Sequence, residues 1–341
     1  MKIVYLIGNG FDLNIGMKTS YPDFYKFYLN SHNGNEEGII KKFIKDIQDN
    51  PKNWSDLEHE LGKFIKEVEP QNAIILHDDL IEKLSKFIQL EEEKYVINDT
   101  QKEPLLNYLK NPFFNYGFLK NEIDQIKGLI GTYGLNQDWD IKIMTFNYTK
   151  TIERMIGKFD EPILIGNCEN NKIYLTEIEH IHGFSDERMV LGVNDDSQIA
   201  NENLRTETRV IDRYVKPNCN NTYGNDIDEK CQQWLEKANI VCLFGLSYGI
   251  TDKKWWNKLA VTFVNGGKIL VFEHYEGERP NANQGPARKD IINNIKTKIL
   301  SRMDKTDLDL LNTMKNSLFV TYADGFFKFD IVTKEVYNSR F

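Results

Sequence analysis

The opening stretch MKIVYLIGNGFD, residues 1–12, decides the fold of this chain. Its apolar part, Lys2–Ile7, is typical of a buried strand, and the glycines of Gly8-Asn9-Gly10 end that strand in a turn. A helical pattern follows after Tyr21. Glycines at this place let a backbone approach a pyrophosphate closely, and the following helix supplies N–H donors. A tight turn without a ligand is the alternative. The dinucleotide fingerprint G-x-G-x-x-G is broken at Leu13, which disfavours an ordinary dehydrogenase.

Two later stretches repeat the pattern of a strand followed by a polar or glycine turn. The first is the buried strand Ile141–Phe146, which is followed by the polar turn Asn147-Tyr148-Thr149. The other lies in Asp228–Glu273, where a helix, a strand, the turn GLSYG, a helix and a strand form a βαβ unit. We therefore predict an α/β protein with a Rossmann-like, mostly parallel sheet. Its neighbouring parallel strands should be Ile3–Ile7, Ile141–Phe146, Ile240–Phe244 and Ile269–Phe272.

Residues 36–130 have an almost wholly helical pattern. We predict that they form an insertion covering a cleft in a nucleotide-binding core of residues 1–35 and 131–341. Within the insertion, Glu58 borders the apolar face of a helix, so a cleft-lining role competes with a structural one. The polar stretch Asn194–Asn225 is expected to be a mobile or irregular loop region. The tail should contribute a helix from Arg288 and the strands Leu318–Tyr322 and Phe326–Val332.

The composition predicts a folded, cytoplasmic protein. The 341 residues are 40% hydrophobic and 12% aromatic, enough for a large core. The 43 basic and 51 acidic residues leave a net charge of -8, which disfavours nucleic acid and anionic membranes as partners. No apolar run reaches the roughly 20 residues of a membrane-spanning helix. Four scattered cysteines without a C-x-x-C pair predict reduced thiols rather than disulfides or a zinc ribbon.

Two residues are candidates for catalysis. Asn147 follows a strand, and its amide can donate to or accept from a ribose or a water, although a helix cap is the alternative. His182, before Gly183, could enter a cleft as a general base because its unperturbed pKa is about 6.5, although a structural role is the alternative. His180 should share a strand face with His182, but no further ligand stands at a matching spacing, so we predict no metal site.

The late turn GLSYG, residues 245–249, supplies further candidates. Gly245 and Ser247 suit phosphate or ribose oxygens. Glu273 ends the next strand, where an acidic residue commonly accepts from ribose hydroxyls. A simple helix-entry turn, with Asp252 near its first turn, is the alternative.

Several short motifs span nearly the whole chain in the order GNGFDLNIG with TSY, then WSDLE, FNYT, HIHG, LGVND and GLSYGITD. Taken together, they resemble the bacteriophage abortive infection AbiH family. Four of them are also similar to a diverged sirtuin core, with a glycine turn, an asparagine after a middle strand, a histidine before glycine and a late G-x-S turn. The four-cysteine zinc module of protein-deacylating sirtuins is missing, which disfavours acyl-lysine as a substrate.

The resemblance implies an antiphage enzyme that hydrolyses the nicotinamide–ribose bond of NAD, with Asn147 and His182 as its reactive pair. NAD is then the substrate, and no prosthetic cofactor is implied. A nucleotide sensor or interaction module without catalysis stays open, as do a related nucleotide, a phage-derived trigger, a partner defence protein and a homo-oligomer. A nuclease toxin is disfavoured because no carboxylate–metal cluster is evident. The predicted nucleotide contacts are Gly8, Asn9, Gly10, Phe11, Asp12, Ser20, Thr149, Gly245, Ser247 and Glu273.

Overall fold

The opening strand lies in the middle of a seven-stranded sheet. The computed structural model describes residues 1–32, 34, 36–113, 117–224, 226–275, 277–281, 283–304, 308–323 and 325–338. Their strands are β1 (Lys2–Ile7), β2 (Trp139–Thr145), β3 (Ile163–Cys168), β4 (Asn171–His180), β5 (Ile240–Phe244), β6 (Lys268–Glu273) and β7 (Leu318–Tyr322). The order across the sheet is β3-β4-β2-β1-β5-β6-β7.

All neighbouring strands pair in parallel except β3 and β4, which form an antiparallel edge. At the carboxyl end of β1, Ile7 lies opposite Thr145 of β2 and Phe244 of β5. The four strands predicted as parallel neighbours are therefore confirmed. Because parallel strands end on the same edge, the loops that follow β1, β2, β4 and β5 meet there.

The apolar residues of β1 alternate between two cores. Ile3, Tyr5 and Ile7 belong to a core on one face of the sheet, and Val4 and Leu6 belong to a core on the other. All five are buried. A strand covered on both faces needs apolar side chains at consecutive positions, which explains the uninterrupted apolar run in the sequence.

Helices cover both faces and fill the stretch between β1 and β2, where the described residues contain no strand. None of the described helices is long and apolar enough to cross a membrane. The helices are α1 (Gly10–Asn14), α2 (Tyr21–Ser31), α3 (Gly38–Asp49), α4 (Leu57–Phe64), α5 (Pro70–Glu92), α6 (Lys102–Lys110), α7 (Lys120–Leu129), α8 (Thr151–Ile156), α9 (Thr208–Tyr214), α10 (Lys216–Thr222), α11 (Ile227–Lys237), α12 (Lys253–Val264), α13 (Gly285–Leu300), α14 (Leu308–Ser317) and α15 (Lys334–Asn338).

A third apolar core joins α2–α5 to a later part of the chain. His77 Nε2 lies 2.9 Å from the carbonyl oxygen of Leu191, and the Tyr214 hydroxyl donates to the carbonyl of Ala73 at 2.8 Å. The expectation of an irregular loop over Asn194–Asn225 is therefore wrong for its described part, which contains α9 and α10. These helices have seven residues each, too few for a clear period, and packing stabilises them.

The tail also differs from expectation in one element. The strand Leu318–Tyr322 is present as β7, but Phe326–Val332 does not form a strand. Phe326 instead stacks on Phe272, with ring centroids 3.9 Å apart. This apolar run packs over the sheet with its rings, so a β-type pattern arose from burial alone.

Candidate functional site

The glycine turns after β1 and β5 pack directly against each other. The Gly8 N–H donates to the Phe244 carbonyl at 2.9 Å, and the Gly10 N–H donates to the Gly245 carbonyl at 2.9 Å. A Cβ on Gly10 would lie 2.4 Å from the Cα of Gly245, which itself has a φ of +67°. Gly8, Gly10 and Gly245, which were predicted to contact phosphate, are therefore needed as glycines because the two turns approach each other so closely. The N–H groups of Gly8 and Gly10 already have carbonyl partners.

Several other predicted nucleotide contacts have local partners. The Asn9 side chain donates to the Thr19 carbonyl at 3.0 Å and accepts from the Thr19 hydroxyl at 2.6 Å. Phe11 is buried in the aromatic core, and Ser20 caps the start of α2. These side chains hold the loop that follows β1 in place.

Two predicted contacts follow β5 and β6. Glu273 accepts a hydrogen bond from the Tyr248 hydroxyl at 2.7 Å, and burial raises the pKa of Glu273. Ser247 is exposed to solvent. The Glu273 carboxylate therefore already has a hydrogen-bond donor within the protein, and the Ser247 side chain is exposed.

Asp12 and Thr149 meet across the neighbouring strands β1 and β2. The Thr149 hydroxyl donates to Asp12 Oδ2 at 2.8 Å. Asp12 is only 1% exposed, and its Oδ1 has no hydrogen-bond partner among the described residues. Burial raises the pKa of Asp12 to about 7, partly opposed by the hydrogen bond from Thr149. This edge therefore holds a carboxyl group that titrates near neutral pH.

Asn147 is buried in the loop after β2. Its main-chain carbonyl contacts Nδ1 of His180 at 2.9 Å, which fixes the loop. The residues on either side pack against His182, with ring centroids 5.4 Å away for Phe146 and 6.3 Å for Tyr148. Its side-chain Oδ1 has no partner in the described part of the chain. The first residue of α8 lies four positions further on, so the alternative role as a cap on that helix is wrong.

His182 is buried just beyond β4 and is held by a carboxylate. Its Nε2 lies 3.2 Å from Asp252 Oδ1 and 3.4 Å from Nζ of Lys216. Burial, and then the Lys216 ammonium, lower the pKa of His182. An ionised Asp252 can only accept, and its contact with Nε2 is shorter than that of the donating Lys216, which favours the ring proton on Nε2. The lone pair is then on Nδ1, which is buried without a partner among the described residues and suits a general base.

A buried charge cluster surrounds His182. Lys216 Nζ donates to Glu58 Oε2 at 2.7 Å and to Asp252 Oδ1 at 2.8 Å, and the Thr251 hydroxyl donates to Glu58 Oε2 at 2.8 Å. The sequence left Glu58 and Asp252 undecided and gave no reason to select Lys216. Lys216 stands in a polar stretch, and the only local signal was the Lys-Pro pair that begins α10.

The contacts within this cluster determine which of its side chains are charged. Burial raises the pKa of Glu58 although Lys216 opposes it. For Asp252, burial is outweighed by Lys216 and His182, so its pKa is lowered. The two carboxylates raise the pKa of Lys216 against the effect of burial. At neutral pH the cluster thus holds a charged Lys216–Asp252 pair beside a neutral imidazole.

His180 and His182 do not share a face, contrary to expectation. β4 ends at His180, whose Nε2 contacts Glu153 of α8 at 2.7 Å. His182 lies beyond the strand and contacts Asp252, next to α12, on the other side of the sheet. Strand alternation therefore stops applying between the two. Within the described ranges, no group of three or more His, Cys, Asp or Glu side chains is arranged to hold a metal ion.

A narrow pocket opens beside His182. Its cavity volume is about 10 Å³, and its lining includes Lys216, Asp228, Asp252 and Trp255. Small-molecule sites usually measure about 300–1,000 Å³. A dinucleotide would therefore require the elements around this pocket to move apart.

Three of the buried polar atoms that have no partner among the described residues lie at this edge of the sheet. They are Asp12 Oδ1, Asn147 Oδ1 and His182 Nδ1, which follow β1, β2 and β4. An unpaired buried polar group costs about 1–3 kcal/mol, so its persistence calls for a reason such as a bound molecule. Asn147 Oδ1 and the lone pair on His182 Nδ1 accept, and Asp12 Oδ1 accepts when Asp12 is ionised, so the matching groups are O–H or N–H donors, among them hydroxyls and water.

The comparison with known families covers this whole region. The family model described as bacteriophage abortive infection AbiH matches residues 4–273, from β1 through β6. The match includes the charge cluster and the buried side chains of Asp12, Asn147 and His182. No curated protein matches the chain. Since the matched region is well over half of the 341 residues, the chain belongs to the bacteriophage abortive infection AbiH family.

Proposed function

We propose that this protein acts in abortive infection by hydrolysing the nicotinamide–ribose bond of NAD. The observation that carries the proposal is the set of three buried acceptors, Asp12 Oδ1, Asn147 Oδ1 and His182 Nδ1. Ribose hydroxyls and an attacking water supply the donors that such atoms need.

The order of the parallel strands supports a nucleotide ligand. Numbered along the chain without β3, the six parallel strands have the order 3-2-1-4-5-6 across the sheet. Doubly wound dinucleotide-binding sheets have this order and bind at the carboxyl ends of the strands, where the order reverses. The sirtuin-like reading of the motifs points to the same ligand class.

In the proposed reaction, Asn147 holds the ribose or the water, and His182 accepts a proton. The bond between ribose C1′ and the nicotinamide nitrogen breaks, and its electron pair leaves with nicotinamide. The water oxygen bonds to C1′ while its proton passes to Nδ1 of His182, whose Nε2–H is oriented by Asp252. The products are nicotinamide, ADP-ribose and a proton released to solvent.

A nucleotide sensor without catalysis is the second candidate. The small pocket beside His182 favours it, because binding would have to move a helix that lines the pocket, such as α10 or α12, and such movement can transmit a signal. In either case residues 36–130 would cover the cleft until a phage-derived signal displaces them.

The test is to incubate the purified full chain with NAD and, separately, with RNA and DNA. Nicotinamide and ADP-ribose are measured by chromatography, with and without extract from phage-infected cells. Equal amounts of the two products, missing in His182→Ala with an unchanged melting temperature, are expected. Tight NAD binding without product under both conditions would instead favour the sensor. Cleavage of nucleic acid with intact NAD would contradict both.

A further inference from the structure

Lys216 carries its charge into the interior of the protein, next to the proposed proton acceptor. Its side chain is 7% exposed. Nζ lies 2.7 Å from Glu58 Oε2, 2.8 Å from Asp252 Oδ1 and 3.4 Å from Nε2 of His182. An unpaired ammonium is strongly disfavoured in such a place, so two carboxylates from separate segments are needed to hold it.

The charged groups that face His182 come from several elements. Asp252 touches it from the turn before α12, and Asp228 acts on it from α11. Lys254 pairs with Asp228 at 2.5 Å, and Glu58 lies behind Lys216 on α4. The loop after β2 contributes the ring of Tyr148. Lys216 thus places a positive charge against the imidazole of His182, which has the carboxylates of Asp252 and Asp228 near it.

A carboxylate bonded to a histidine nitrogen favours the imidazolium form. An imidazolium carries protons on both ring nitrogens and cannot accept one at Nδ1. The Asp252 oxygen that contacts His182 is the same Oδ1 that accepts from Lys216. Lys216 therefore offsets the negative charge on Asp252 Oδ1, the atom through which Asp252 would otherwise favour the imidazolium form of His182.

We propose that Lys216 is a positioning residue that neutralises Asp252, so that His182 is oriented by the carboxylate and still keeps a free lone pair at Nδ1. This inference rests on the proposed function for the role of that lone pair. The balance of charges agrees with it. Burial and Lys216 lower the pKa of His182, while Asp252 acts in the opposite direction.

The test uses the full chain labelled with ¹⁵N-histidine. Two-bond ¹H–¹⁵N correlation spectra report the protonation of each ring nitrogen, and His182→Ala identifies the signals of His182. Lys216→Gln removes the charge but keeps a donor. Lys216→Met combined with Glu58→Gln removes the cation and one of its two carboxylates. Lys216→Arg keeps the charge. Lys230 bridges Glu177 and Glu179 at 2.6 Å each, so Lys230→Met is the matched control.

In the wild type at pH 7, we expect a neutral His182 with its proton on Nε2. In either folded variant without the Lys216 charge, the titration midpoint of His182 should rise by about one to three pH units. Lys216→Arg and Lys230→Met should keep it close to the wild-type value. If NAD is consumed, the limb of the kcat profile that belongs to His182 should move to higher pH by the same amount, so activity lost at pH 7 returns in more alkaline buffer.

An unchanged midpoint in a folded charge-removing variant would overturn the inference. So would a doubly protonated His182 in the wild type at pH 7, which needs no variant to detect. Failure of the proposed function is distinguishable, because a wild type that never consumes NAD still gives the midpoints.

Discussion

Replacing Gly245 by alanine should destabilise the protein by about 2–5 kcal/mol. Gly245 has a φ of +67°, and that left-handed conformation costs an L-residue roughly 1–2 kcal/mol. The added Cβ would also lie 2.7 Å from the Cα of Gly10, and forcing extra atoms into a packed site typically costs about 1–3 kcal/mol. The two costs have different origins, so their sum sets the expected range.

Three further alanine variants separate these costs. Gly16 has a φ of +93° with open space around its Cβ, so Gly16→Ala carries the conformational cost alone. Gly10→Ala carries the contact cost, because its Cβ would meet the Gly245 backbone at 2.4 Å. Gly128 is on α7 with nothing within 4 Å, so alanine there should be neutral or stabilising by up to about 1 kcal/mol.

Urea unfolding at equilibrium, followed by circular dichroism, measures each loss from the shift in midpoint at constant slope. The reasoning is refuted if Gly245→Ala loses no more stability than Gly16→Ala, or if Gly10→Ala is as stable as the wild type. A stable Gly10→Ala variant that fails to bind NAD would return the glycines to the role of nucleotide contacts.

His182→Ala should slow NAD turnover by on the order of a hundredfold, Asn147→Ala should slow it too, and the double variant should be little slower than the poorer single one. If the losses of NAD turnover in the two single variants add up fully in the double variant, measured in stopped assays, the two residues do not belong to one reaction centre. Turnover should survive treatment with EDTA, and a loss restored by a divalent ion would contradict the prediction of no metal. Asp12→Asn should gain stability over the wild type as the pH rises from 3.8 to about 7, because the unfolded chain then releases a proton that folded Asp12 retains. Urea midpoints of both proteins at about pH 4 and about pH 8 test this, and a difference that does not change with pH would contradict it.

Much of the fold could be predicted because burial leaves a local pattern in the sequence. β1 and β5 are covered on both faces and have clear apolar runs, whereas the first half of β2 alternates apolar residues with Asp140 and Lys142. Phe326–Val332 has the same character, but its rings pack over the sheet without strand pairing. The helices α9 and α10 were missed because they are short and packing stabilises them: Val210 and Tyr214 of α9 belong to the core that contains α5, and α10 packs against α9.

The candidate site was predictable only in part. Asn147 and His182 follow strands, so their position at the carboxyl edge of a parallel sheet could be inferred from sequence. The predicted glycines are at that edge too, but they contact each other, because two turns approach more closely than a Cβ allows. Which atoms would be left without partners could not be inferred, since that depends on every neighbour.

The sequence by itself determined the α/β class, the parallel neighbours of β1 and the loops that meet at one edge. Only the tertiary structure decided that Lys216 binds Glu58, 158 positions away, and lies against His182. The pattern of buried and exposed positions appears as a pattern of apolar and polar residues along consecutive positions, so it can be predicted from the sequence alone. The partner of a buried charge is set by which distant segments pack together, because an ammonium enters the interior only where carboxylates from other elements are already in reach.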